Sequence, residues 1–120
     1  MGRAEGLFDM NDTTAFKILT ADEWEIFQAD GEFIGTPVDL IDGYIHLSTA
    51  AQLDRTIASH FAGQVPLVIA EIDLASFGDT VRWEVSRGGA LFPHYYGVMP
   101  LLAVLSVRTT PDAINACPAK

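Results

Sequence analysis

The sequence predicts an α+β domain: a mixed, mostly antiparallel sheet with two helices placed early in the chain. Three observations point there. Segments of strand length, either apolar or alternating apolar with polar, occur at residues 15–19, 44–48, 66–74, 81–85 and 101–107. Boxes of the form Thr-x-x-Glu/Gln, which start helices, occur at Thr20/Glu23 and Thr49/Gln52, both in the first half. Finally, 120 residues with 49% hydrophobic and 19% charged side chains suffice for one buried core and leave no room for a second.

Residues 1–14 carry no period and read as a loose leader ahead of a single domain over 15–108, with 109–120 as a tail. The first strand alternates through Phe16, Lys17, Ile18 and Leu19. The Thr20 box starts a short helix that Gly31 ends, because glycine accepts the left-handed conformation of a helix stop. Residues 31–43, with Gly35, Pro37, Asp39 and Asp42, read as an irregular acidic loop. The second strand is Tyr44-Ile45-His46-Leu47-Ser48, and the Thr49 box opens a second helix with Ala50, Leu53, Ile57 and Phe61 on one face, closed by Gly63. Residues 66–74 are almost continuously apolar, the pattern of a strand buried on both faces. Val81 to Val85 alternates again, residues 86–97 form a loop rich in glycine and aromatics, and 101–107 is the last strand.

Charge excludes several functions. The chain carries 7 basic and 16 acidic residues, a net charge of −9, so a nucleic-acid surface, which needs clustered Lys and Arg, is not expected. All of that charge lies before Arg55, and a small anionic ligand would have to use the neutral second half, where Arg82 and Arg87 are the best candidates. The single cysteine, Cys117, forms no internal disulfide and fits a reducing cytoplasm. The apolar runs are too short to cross a membrane, and the three histidines match no local zinc spacing.

Strand alternation sorts the polar residues by face. Tyr44, His46 and Ser48 oppose Ile45 and Leu47, while Arg82 and Glu84 oppose Val81, Trp83 and Val85. Ser48 also suits the start of the second helix. The run Phe92-Pro93-His94-Tyr95-Tyr96-Gly97 concentrates polar aromatic groups near Gly88 and Gly89, as ligand sites on rigid scaffolds do. His46, Ser48, Arg82, Arg87, His94, Tyr95 and Tyr96 are therefore the candidate ligand-binding residues.

The phrases DGYIHLSTA (42–50), RWE (82–84) and FPHYYG (92–97) resemble those of the small bacterial family known as domain of unknown function 952, over roughly residues 16–107. The resemblance implies a fold related to the ADP-ribosyltransferases and, with it, NAD as the cofactor. On that basis His46, with Ser48 two residues on, would hold the NAD ribose and the nicotinamide amide, and Tyr95 or Tyr96 would stack on nicotinamide. Glu84 or Glu71 would stabilise the oxocarbenium ion left when nicotinamide departs, with Glu84 preferred because it neighbours Arg82. The superfamily's Q/E-x-E pattern is absent, Glu71-Ile72-Asp73 being only a loose echo. Two function classes stay open: an enzyme of ADP-ribosyl transfer or NAD glycohydrolysis, and a non-catalytic module recognising a metabolite or a protein.

Overall fold

The computed structural model describes residues 13–63, 66–85 and 89–110. Its framework is a three-stranded sheet in the order β1 (Thr14–Thr20), β4 (Leu67–Asp73), β8 (Val104–Thr109). β4 is central, and its alternating side chains serve two separate cores. Leu67 and Ile69 meet Leu53 and Ile57 of α3 (Ala50–His60) and Ile18 of β1. Val68, Ala70 and Ile72 turn the other way, into the main cluster with Leu19, Phe27, Ile45 and Tyr95. The apolar run of residues 66–74 is thus explained by burial on both faces.

A second sheet of three strands carries the polar residues of interest. Its order is β3 (Ile45–His46), β6 (Leu91–Tyr95), β5 (Val81–Val85), and a two-stranded ribbon joins β2 (Glu32–Phe33) to β7 (Met99–Pro100). Every strand pairing among the described residues is antiparallel. The α+β expectation holds in that form.

Three expectations need correction. The described residues contain three α-helices, not two. The segment expected as a loop contains α2 (Pro37–Asp42), started by a third capping box in which Thr36 and Asp39 exchange side-chain-to-backbone bonds, with Pro37 in the first turn. The aromatic run after Gly89 is the central strand β6, its alternation masked by aromatics on both faces. Residues 101–107 begin as a 3-10 turn, Leu101–Ala103, before β8. The two helix starts read from sequence both form their capping boxes.

Pro93 lies mid-strand in β6 and shortens its neighbour. Its carbonyl accepts the Leu47 N–H at 3.1 Å, but proline has no N–H to return, so pairing with β3 stops there. The chain then crosses to the framework sheet, where Ser48 and Phe16 exchange backbone bonds of 2.9 and 2.7 Å.

Candidate functional site

Register decides which side chains share a face. In the second sheet Arg82 pairs with His94, and His94 with His46, so the three stand in one row across β5, β6 and β3. Alternation adds Glu84, Tyr96 and Tyr44 to that face and sends Ile45, Pro93, Tyr95 and Trp83 to the core face.

Each of the two histidines in this row is held at Nδ1 by a carboxylate. His46 Nδ1–H donates to Asp39 Oδ1 at 2.6 Å, and His46 Nε2 lies 2.9 Å from Asp42 Oδ2. His94 Nδ1–H donates to Glu84 Oε1 at 2.7 Å, and the Tyr96 hydroxyl donates to the same oxygen at 2.8 Å. The Nδ1 protons are assigned from chemistry, since an ionised carboxylate only accepts. Tyr44 lies flat on His94, with centroids 4.0 Å apart and planes at 19°, and leans on His46 and Tyr96. The two imidazoles meet edge to face at 5.6 Å. Arg82 is exposed, its guanidinium 5.2 Å from the Tyr96 ring centre.

Asp39 anchors the arrangement from beneath. It is 2% exposed, and besides His46 Nδ1 it receives the backbone N–H groups of Thr36 and His46. Lys17 Nζ, on β1, lies 2.9 Å from Asp39 Oδ2 and donates to the His46 carbonyl at 3.1 Å. Gly35 permits this packing: its φ is +124°, and a Cβ there would come within 2.8 Å of the Asp39 Cβ.

These contacts set the electrostatics. Burial alone would raise the Asp39 pKa, but the hydrogen bond to His46 and the Lys17 charge hold its carboxyl far below the usual range. Burial lowers Lys17 against the opposing pull of Asp39. Burial likewise lowers His94 in spite of Glu84. Glu84 is lowered by the bonds from His94 and Tyr96. Tyr96 is raised by its bond to Glu84, and Tyr44 by burial and then by the charges of Asp42, Glu84 and Asp39.

Of the residues expected from sequence, the structure brings together His46, Arg82, Glu84, His94 and Tyr96. Tyr95 is not among them. It is 1% exposed in the main core because it occupies the alternate face of β6. Its hydroxyl reaches the Val98 carbonyl only at 3.5 Å, so Tyr95→Phe should cost at most about 0.5 kcal/mol, the low end for a hydrogen bond. A urea melt checks this, and a large loss would show that the hydroxyl matters. Ser48 is buried with its hydroxyl donated to Thr56 Oγ1, because the chain has already left the site sheet there. Glu71 belongs to β4, in the other sheet, and accepts from Ser106. Arg87 lies outside the described residues. Sequence reasoning missed Lys17, Asp39, Asp42 and Tyr44 as site residues. The signal for Asp39 was the Thr36-Pro37-x-Asp39 box.

Among the described residues no helix is long and apolar enough to cross a membrane. Also among them, no group of three or more His, Cys, Asp and Glu side chains is arranged to hold a metal ion.

Fold and site together define a small antiparallel α+β domain that displays two carboxylate-held histidines side by side on one sheet. The chain belongs to the family described as Protein of unknown function (DUF952), which it matches over residues 18–107. It is similar to the crystal structure of protein CC0527 from Caulobacter crescentus, at 41% identity and a TM-score of 0.78, over 81% of this chain and 85% of that one. The solution NMR structure of CC0527 matches at 41% identity and a TM-score of 0.73, over 81% and 84% of the two chains. No curated protein matches this sequence. Family membership thus stands on sequence and fold together, whereas neither neighbour shows kinship with ADP-ribosyltransferases.

Proposed function

We propose that the polar face of the β3-β6-β5 sheet binds a small, nucleotide-like ligand carrying an anionic group. The observation that carries this reading is the in-register row of Arg82, His94 and His46. At the usual strand spacing the row spans about 10 Å, the scale of one nucleotide. Arg82 offers phosphate a planar donor fork. Tyr44 and Tyr96 offer flat rings, and Glu84, whose Oε1 holds His94 and Tyr96, has Oε2 for a ribose hydroxyl. The net charge of −9 opposes large polyanions, so the ligand is small.

In the finer reading the ligand is NAD and the reaction is ADP-ribosyl transfer or loss of nicotinamide. Glu84 then stabilises the oxocarbenium ion and His46 orients the ribose. A second reading, recognition without chemistry, is favoured by the engagement of Glu84 with two protein donors and by the position of Glu71 in the other sheet.

Ligand-observed NMR with NAD, ADP-ribose and mononucleotides tests the proposal. Binding should weaken as salt rises and fall at least tenfold in Arg82→Ala. Unchanged affinity in that variant would overturn the assignment. Release of free nicotinamide separates the enzyme from the recognition module.

A further inference from the structure

Resting on that ligand reading, we infer that His94 and His46 are a base–acid pair that cleaves a small ribonucleotide phosphodiester through attack of its own 2′-hydroxyl. The geometry divides the roles. His94 spends its Nδ1 proton on Glu84, and Nε2 meets no hydrogen-bond partner among the described residues although the side chain is only 3% exposed. A buried, neutral imidazole with an open lone pair is a proton acceptor. His46 differs, because both of its ring nitrogens face carboxylate oxygens, of Asp39 and of Asp42. Carboxylate oxygens only accept, so a ring set between two of them is placed as the proton donor of the pair. Asp42 is 41% exposed on its side chain and can yield the Nε2 proton to a ligand.

Among the described residues, the serine that the site strand leads into, Ser48, has its hydroxyl turned away from this face, to Thr56. The reaction best suited to one base and one acid is therefore one in which the substrate supplies its own nucleophile. A ribose hydroxyl beside a phosphodiester does so. Arg82, level with His94 in the row, faces the phosphate charge. His94 Nε2 takes the 2′-hydroxyl proton as the oxygen attacks phosphorus. The O2′–P bond forms, the P–O5′ bond breaks with its electron pair on O5′, and His46 Nε2 protonates that oxygen. The products are a 2′,3′-cyclic phosphate and a 5′-hydroxyl. No redox partner is needed, and exchange with water returns both histidines to their starting forms. Tyr44, joined to α2 through the left-handed Gly43, covers His94, so the ring it offers the ligand must first swing off His94.

The test uses the whole chain and three forms of the dinucleotide uridylyl-adenosine: the parent, its 2′-deoxy analogue and its 5′-phosphorothiolate, whose thiolate departs without a proton. The parent should be cleaved to the cyclic phosphate and the deoxy form left intact. His94→Gln and His46→Gln should each lower kcat about 100-fold or more, the usual worth of a general acid or base. The phosphorothiolate should restore His46→Gln to near the wild-type rate and leave His94→Gln slow. Both variants, purified identically, also control for trace ribonuclease, and thermal melts confirm that they fold. If either fails to fold, the other variant or Arg82→Ala, purified identically, keeps the ribonuclease control beside the parent-against-deoxy comparison. Binding of the dinucleotide without cleavage would overturn this inference and leave the ligand reading intact. Absence of nucleotide binding would overturn both. Cleavage of the deoxy form, or rescue of the wrong variant, would refute the roles assigned.

Discussion

Asp39→Asn should destabilise the domain by about 3–5 kcal/mol, the range for breaking a buried ion pair by removing one partner. The carboxylate is 2% exposed, and Lys17, 5% exposed, has it as its charged partner. An amide keeps much of the capping geometry of α2 but cannot balance the ammonium group. It also removes the acceptor that orients His46. The double variant Lys17→Met, Asp39→Asn should recover much of the loss, because no lone charge is then buried. Urea melts of the three variants, counting Lys17→Met alone, measure the coupling. A single-variant cost below about 1 kcal/mol would show that water or a rearranged side chain already compensates Lys17.

Acidification should destabilise the fold in two stages. Burial holds the folded His94 below its ordinary value of 6.5, so the unfolded chain takes up that proton first. Stability is therefore full above about pH 6.5 and declines below it until the folded histidine also titrates. The second stage belongs to Asp39, which is held far below the ordinary 3.8. Its contribution is present above that value and is lost as the pH falls through the acid range. At about 1.4 kcal/mol per pKa unit, the Asp39 stage is the larger. Lys17, lowered by burial, acts at the opposite end: its folded form sheds a proton before the unfolded one, so its titration favours folding as pH rises towards 10.5. Melts at about pH 7.5, 5 and 2.5 should show both losses, with His94→Gln removing the first and Asp39→Asn most of the second. A flat profile down to about pH 2.5 would contradict both assignments.

The sequence discloses the site strands more readily than the residues that hold them. Tyr44-Ile45-His46 and Arg82-Trp83-Glu84 alternate cleanly, and that alternation alone puts His46, Arg82 and Glu84 on polar faces. Asp39 is hidden because α2 has only six residues and turns Val38 and Ile41 to solvent, 59% and 83% exposed. A helix that buries an acid and exposes its apolar side chains has the inverse of the pattern that marks a helix. Lys17 is hidden for a related reason: its burial depends on a carboxylate twenty-two residues away, which no local period encodes. The strand β6 reads as a loop because Pro93 and consecutive aromatics obscure period two, so nothing local separates the buried Tyr95 from Tyr96. Ser48 follows from the same kind of limit, since its direction depends on the chain changing sheets after Leu47.

The Gly35–Asp39 contact has a consequence for anyone transplanting this site onto another scaffold. Copying the row of Arg82, His94 and His46 moves the groups a ligand would touch but not what aims them. His46 takes its orientation from Asp39, which needs the tight approach at Gly35, the cap from Thr36 and the ammonium of Lys17 on a different sheet. The smallest portable unit is thus a strand of the framework plus the whole stretch from Gly35 to His46. A graft that omits Lys17 inherits an uncompensated acid, and one that replaces Gly35 displaces the acid altogether. Either recipient would carry the histidines in name while their imidazoles swing free.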